Sequence, residues 1–276
     1  MVGNVIGIRG WAKGLFGTSA VPAAPTVPVP STVLHITHQK AGSQWINRIF
    51  HLLVYDRMVH PENEVVPTHD LPVEATQFLR RPVEAGKVYP TLYLTREQFA
   101  TARVPAGAER FVVIRDPRDT LVSAYFSCKK THAVQSDWLQ NCRAELNRLS
   151  PEAGLMFMLD HWLPTVATFQ WSWVAAGDRL IKYEDLLTND EVLLERVLLD
   201  QCKLGVDRER FREVVRATRF EAWSGRSRGN EDKNSHERKG IAGDWKNYFT
   251  ERVSRAFRSR YGSLLVATGY ERDERW

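Results

Sequence analysis

Three short stretches of this chain gather residue types suited to holding an anion. In the first, His35-Ile36-Thr37-His38-Gln39-Lys40-Ala41-Gly42-Ser43-Gln44-Trp45, an apolar lead runs into a lysine, a glycine, a serine and an aromatic. Lys40 brings a full positive charge and Gly42 lets backbone approach a ligand closely. Ser43 and Gln44 would donate from a first helical turn, whose N–H groups already favour negative charge. The lysine precedes the glycine, the reverse of the G-x-x-x-x-G-K-[ST] loop of nucleotide hydrolases. Taken alone, the stretch also reads as a helix-capping serine beside a surface lysine.

The second stretch, Arg115-Asp116-Pro117-Arg118-Asp119-Thr120-Leu121-Val122-Ser123, sets an arginine at the end of an apolar run and a serine two turns into the next helix. An arginine fork and a hydroxyl suit a phosphate, although Asp116 and Asp119 are equally at hand as partners for Arg115. The third, Arg238-Lys239-Gly240-Ile241-Ala242-Gly243-Asp244-Trp245-Lys246-Asn247, joins two adjacent cations to two glycines. A basic loop closing over a polyanion has this composition, and so does a solvated charge run.

The elements that must carry these stretches alternate. Residues 32–37 form a β-branched apolar run that reads as a buried strand, and residues 43–55 carry helical spacing at Trp45, Ile49, Leu52 and Leu53. FVVIR, residues 111–115, is a second strand, followed by Asp-Pro at a helix start and by Leu121, Val122 and Tyr125 on one helical face. RLIKY, residues 179–183, is a third strand. Strands alternating with helices indicate an α/β domain with a parallel sheet. Residues 224–243 lack periodicity and read as a mobile basic loop, whereas residues 21–30 hold four of the 13 prolines and read as an extended arm.

Bulk properties narrow the classes. A chain of 276 residues with 43% hydrophobic content can bury one substantial core. No run is long and apolar enough for a membrane span, and no compact apolar stretch follows a basic start as in a secretory signal. Cys128, Cys142 and Cys202 lack metal or redox spacing and read as reduced thiols, which favours a cytoplasmic setting. A net charge of +5 suits a small anionic ligand, but acids and bases are interspersed and no basic tail argues for nucleic acid. Trp138, Trp162, Trp171 and Trp173, at helical spacing, read as core rather than as an acceptor platform.

In order, K-x-G-S-x-W, R-D-P-R-D-x-x-x-S, K-Y-E-D-L and R-K-G-x-x-G-D-W-K-N-x-F-T resemble the sulfotransferases that use 3'-phosphoadenosine 5'-phosphosulfate (PAPS), over residues 33–250. The resemblance implies a P-loop-like three-layer α/β fold, a central parallel sheet flanked by helices, over residues 31–276 after an arm of residues 1–30. It implies sulfuryl transfer from PAPS to a hydroxyl or amine acceptor, leaving adenosine 3',5'-bisphosphate (PAP), with no metal required. By it, Lys40, Ala41, Gly42, Ser43 and Gln44 form the 5'-phosphosulfate loop, with Lys40 at the leaving oxygen. Trp45 and Tyr183 flank the adenine, with Thr218 and Phe220 on the opposite wall. Arg115 and Ser123 take the 3'-phosphate, and Arg238, Lys239 and Gly240 close over it. The expected partners are a small-molecule, glycan or lipid acceptor and, as an assembly, a homodimer.

The pattern breaks at the acceptor. Cytosolic members carry a K-T-H histidine a little over twenty residues before the 3'-phosphate arginine, where this chain reads Tyr89-Pro90-Thr91-Leu92-Tyr93-Leu94. The nearest echo is Pro67-Thr68-His69-Asp70-Leu71-Pro72, which makes His69 the expected general base, ahead of Glu64, Asp70 and His38. His35, inside the first strand, reads as packed. A bisphosphate-binding protein without transferase activity is the competing reading; a P-loop kinase fits less well, because the glycine-lysine order is wrong.

Overall fold

A computed structural model describes residues 30–60, 79, 81–134 and 136–276. The proline-rich arm and the candidate bases His69, Glu64 and Asp70 lie outside the described residues.

Four parallel strands form one sheet in the order β2-β1-β3-β4: β1 is Val33–Thr37, β2 Val88–Leu92, β3 Glu109–Ile114 and β4 Leu180–Lys182. β1 and β3 pair in register from Val33 against Glu109 to Thr37 against Val113. Both faces of the central strands are covered, which is why they read as continuous apolar runs rather than alternating ones. On one face Val33 and Val113 pack with Ile46, Ile49 and Phe50 of helix α1 (Ser43–Val54) and with Phe211 of α8 (Arg208–Ala217). On the other, Leu34, Ile36, Val112 and Ile114 meet Phe169 and Trp173 of α6 (Leu163–Ala175). Helix, sheet, helix is the three-layer architecture expected of the sequence.

The remaining helices are α2 (Arg96–Ala100), α3 (Pro117–Phe126), α4 (Asp137–Arg148), α5 (Pro151–His161), α7 (Tyr183–Leu194), α9 (Phe220–Ser224) and α10 (Glu251–Ala267). Helices α3, α5 and α10 share a third apolar cluster around Tyr125, Met158 and Phe257. Among the described residues no helix is long and apolar enough to cross a membrane. Trp162 and Trp173 are buried and Trp138 is partly buried against the core, whereas Trp171 is exposed. The three cysteines are buried and none forms a disulfide.

Strand β2 escapes a search for apolar periodicity, and Pro90 is the reason. Proline cannot donate to a ladder, so it argues against a central strand; β2 is an edge strand, where it is tolerated. The Pro90 carbonyl accepts a 2.5 Å hydrogen bond from His35 Nδ1. His35 also stacks on Phe111 at 4.8 Å, so it is packed as the sequence suggested. The third strand is one residue shorter at each end than expected, because Tyr183 already opens α7.

From β1 the chain goes to β2 on one side and then to β3 on the other. Connections leaving in opposite directions open a crevice beyond the carboxyl ends of β1 and β3, the usual ligand position in such sheets.

Candidate active site

The loop after β1 turns sharply: Lys40 (φ 66°) and Gly42 (φ 84°) both adopt the left-handed conformation, and Gly42 caps α1. Gly42 is required here twice over. A Cβ on it would lie 2.5 Å from the Tyr183 ring, and its φ disfavours any side chain. His38 braces the loop from below. It is buried, its Nδ1 donates to the Gln39 carbonyl (2.8 Å), and its Nε2 accepts from the Arg115 N–H (3.2 Å) and the Gln170 amide (3.0 Å). Burial pulls this imidazole down to about 4, ahead of the opposing Gln39 bond and the smaller push from Arg115. Both nitrogens are engaged, so His38 holds the backbone and is withdrawn as a base.

Arg115, at the end of β3, is 11% exposed along its side chain. Its Nη1 donates to the Lys40 carbonyl (3.0 Å) and its guanidinium lies over the Tyr183 ring at 5.1 Å. The carboxylates beside it make their shorter contacts with other groups. Asp116 caps α3 and forks onto Arg118 at 2.7 Å. Asp119 accepts from the Gly243 N–H (2.7 Å) and the Trp245 N–H (2.9 Å), approaching Arg115 only to 3.9 Å. Arg115 Nε is buried without a hydrogen-bond partner among the described residues. Burial lowers its affinity for the proton, yet Asp119, Tyr183, Glu184 and Asp116 together outweigh that and keep it charged. A buried, charged arginine with an unused donor can take up an anion.

The Asp119 bonds fasten the Gly243-Asp244-Trp245 turn to α3 and so bring the third stretch over the crevice. Arg238 and Lys239 both reach Asp244, at 2.5 and 2.6 Å, and Arg238 also pairs with Glu231. Gly240 (φ 66°) lies under Phe220, whose ring atoms would be 2.5 Å from an added Cβ. Residues 224–243 are thus irregular, as expected, but laced by internal bonds: Arg226 donates to the carbonyls of Asn230 (2.8 Å), Arg238 (3.1 Å) and Glu237.

These pieces line one cavity of about 710 Å³. Lys40, Gly42, Ser43, Gln44 and Trp45 line it together with Arg115 and Ser123 and with Arg238, Lys239 and Gly240. Tyr183, Thr218 and Phe220 line it too, and Trp45 Nε1 donates to Thr218 Oγ1 at 3.2 Å. Trp45 meets Tyr183 edge to face with ring centres 6.4 Å apart. Ala41 is buried beneath the loop rather than in the cavity wall.

Other residues lining the same cavity were hidden in the sequence. Thr91 and Tyr93, at the carboxyl end of β2, face it, and Tyr93 Oη lies 3.1 Å from Ser43 Oγ. His60, His132 and His236 also line it. Lys40 Nζ donates to Ser127 Oγ at 3.1 Å, and Ser127 Oγ lies 3.5 Å from His132 Nδ1. Tyr93 had a signal, since it stands in the stretch where a histidine was sought; His132 and His236 sit in no motif. Among the described residues no cluster of three His, Cys, Asp or Glu could hold a metal ion.

The sulfotransferase domain family model matches residues 108–269, more than half the chain. The chain is 27% identical to mouse (Mus musculus) sulfotransferase 2B1 over 253 residues, covering 82% of this chain and 69% of that protein. It is 23% identical to human (Homo sapiens) sulfotransferase 1C2 over 264 residues, covering 87% and 84%. Among solved structures, mouse sulfotransferase SULT7A1 complexed with PAP superposes with a TM-score of 0.56 at 17% identity, covering 87% of this chain and 88% of that one. A retinol dehydratase in complex with retinol and PAP gives 0.51 at 17% identity, covering 86% and 81%. With the family match spanning β3, α3 and the basic segment of residues 238–247, this chain belongs to the sulfotransferase domain family.

Proposed function

We propose that this sulfotransferase moves the sulfuryl group of PAPS to a hydroxyl of a small-molecule acceptor and releases PAP. The donor supplies an activated sulfuryl group on a phosphate that leaves as an anion; the chain's task is to hold that anion and to orient the acceptor. Lys40, Gly42, Ser43 and Gln44 would hold the 5' end, with the Lys40 ammonium countering charge as it develops on the leaving oxygen. Arg115 and Ser123 from one side, and Arg238, Lys239 and Gly240 from the lid, would take the 3'-phosphate. Trp45, Tyr183, Thr218 and Phe220 would enclose the adenine.

One observation carries this reading: three segments far apart in sequence bring their cations to one cavity, where Arg115 Nε is buried without a partner among the described residues. The PAP held by the two superposed proteins supports the same donor. The test is calorimetry with PAP together with transfer of ³⁵S from labelled PAPS to a panel of phenols and alcohols. Binding with product supports the assignment. Binding without product from any acceptor would leave a bisphosphate-binding protein, and tighter binding of ATP than of PAP would point to a kinase.

A further inference from the structure

Transfer to a hydroxyl needs a group that removes the acceptor's proton, and the stretch that should supply a histidine carries Tyr93 instead. A tyrosine, ordinarily titrating near 10, is a poor proton acceptor at neutrality. The cavity holds imidazoles from other elements. His60 follows α1 and is exposed, His236 sits on the lid, and His132 ends the turn after α3.

His132 is tied to the reacting end of the site. Beyond α3 the helix widens over Ser127–Thr131, and the His132 N–H donates to the Ser127 carbonyl, five residues back, at 2.9 Å. Widened turns of this kind are frequent at functional positions. Here the turn sets the His132 ring beside Ser127 Oγ at 3.5 Å, and that oxygen receives the Lys40 ammonium at 3.1 Å. Arg143 of α4 clamps the same turn, donating to the carbonyls of Cys128 (2.9 Å) and His132. One serine thus separates the leaving-group lysine from an imidazole that lines the cavity.

We propose that His132 is the general base for the acceptor, held by Ser127 at a fixed offset from Lys40. The proposal rests on the transferase reading above. In the tautomer that carries Nδ1–H toward Ser127 Oγ, Nε2 is the basic nitrogen and takes the hydroxyl proton. The acceptor oxygen then bonds to sulfur, the bond from sulfur to the bridging phosphate oxygen breaks, and its electron pair leaves with PAP opposite Lys40. The proton on Nε2 passes to solvent afterwards. Charged and titratable groups near His132 include Lys40 of the β1 loop, joined to it through Ser127, Arg143 of α4, bonded to its backbone carbonyl, and His236, coupled to it electrostatically. Lys129 and Lys130 belong to its own turn, and Lys130 reaches Asn234 of the lid at 3.2 Å. His236 is the weaker rival. The charge on Lys40 first, and partial desolvation second, pull its imidazole down to about 4, far below the optimum for a base at neutral pH.

The experiment compares the full chain with its His132→Gln, His132→Asn, His236→Gln and His69→Gln forms, each checked for PAP binding by calorimetry. Activity is followed from pH 5 to 9 with ³⁵S-PAPS and the best phenol of the panel. The expected result is PAP affinity within about twofold of the parent for both His132 variants, with turnover reduced about 100-fold or more. The acid limb of the profile is lost in those two variants and kept in the other two. A readout independent of turnover is ¹⁵N NMR of the imidazoles with PAP bound: adding the phenol is expected to shift the His132 Nε2 resonance. Should the His132 variants keep the acid limb, or His69→Gln remove it, or the Nε2 resonance not move, the assignment is overturned while the transferase reading stands. A parent protein that binds PAP yet sulfates nothing would overturn both.

Discussion

Two arginine-rich regions of this molecule have opposite electrostatic designs. On the outer helices, Arg208, Arg212, Arg216 and Arg219 of α8 and its end meet Glu195, Asp200, Glu191 and Asp190, with Arg216–Glu191 at 2.8 Å and Arg219–Asp190 at 2.6 Å. Each of these four cations has a carboxylate, and most of them are solvent-exposed. In the crevice Arg115 is buried, its one ion pair is a long one to an Asp119 carboxylate shared with two backbone N–H groups, and its Nε has no hydrogen-bond partner among the described residues. Matched surface pairs contribute little and imply no ligand. A buried cation left short of partners is costly unless something arrives to satisfy it.

The comparison can be broken most forcefully at the loop lysine. Lys40→Ala is expected to lower the rate of sulfuryl transfer by a factor on the order of 10² to 10³, the size seen when one group stabilising a developing anion is removed. PAP affinity, measured by calorimetry, should fall much less. If transfer survives within a few-fold, Lys40 does not face the leaving oxygen.

Next in size is the cradle itself. Gly42→Ala forces a methyl against the Tyr183 ring at 2.5 Å on a backbone with φ 84°, and should cost about 2 kcal/mol or more in urea unfolding, with weakened PAP binding. Gly243→Ala is the comparison: φ is 77° but nothing lies within 4 Å of the added Cβ, so only the backbone cost of about 1 kcal/mol is expected. Equal losses at the two positions would mean that the Tyr183 contact does not shape the loop.

A third difference is between buried and exposed titration. His35 and His38 are neutral in the folded chain, each held down to about 4 chiefly by burial, whereas an unfolded histidine takes up its proton near 6.5. The unfolded state therefore binds more protons between these values. Stability is level above pH 6.5, declines as pH drops from 6.5 to 4, and levels off below, by on the order of 3 kcal/mol for each imidazole. Urea midpoints across that range should show the decline, and His38→Gln should make it shallower. The smallest effect belongs to the matched surface: Arg216→Ala should leave PAP affinity unchanged and the melting temperature nearly so.

The legible parts of the sequence were those where local pattern and tertiary role coincide. β1 and β3 were readable because both faces are buried and the apolar run is unbroken, and the loops after them inherit their place from the strand ends. The motif residues from Lys40 to Gly240, Ala41 excepted, accordingly meet in one cavity. β2 was not readable, because Pro90 interrupts the pattern and only its edge position makes that harmless. The role of Asp119 was also hidden. Beside Arg115 it looked like an ion-pair partner, which it is at 3.9 Å, but its carboxylate also accepts from two backbone N–H groups of the Gly243–Trp245 turn, contacts between residues 124 and 126 apart. His132 was invisible for a similar reason, since its place beside Lys40 depends on a widened turn that no spacing rule foretells.

The most direct measurement of the central claim is a cycle over protein and ligand. Calorimetry gives the affinity of the parent and of Arg115→Ala for PAP and for adenosine 5'-monophosphate, which lacks only the 3'-phosphate. Convergence of Arg115 with the lid cations on that phosphate predicts that the parent prefers PAP by about 100-fold and that most of this preference vanishes in the variant. An undiminished preference in Arg115→Ala would contradict that convergence, because the 3'-phosphate would then lie beyond the reach of this arginine.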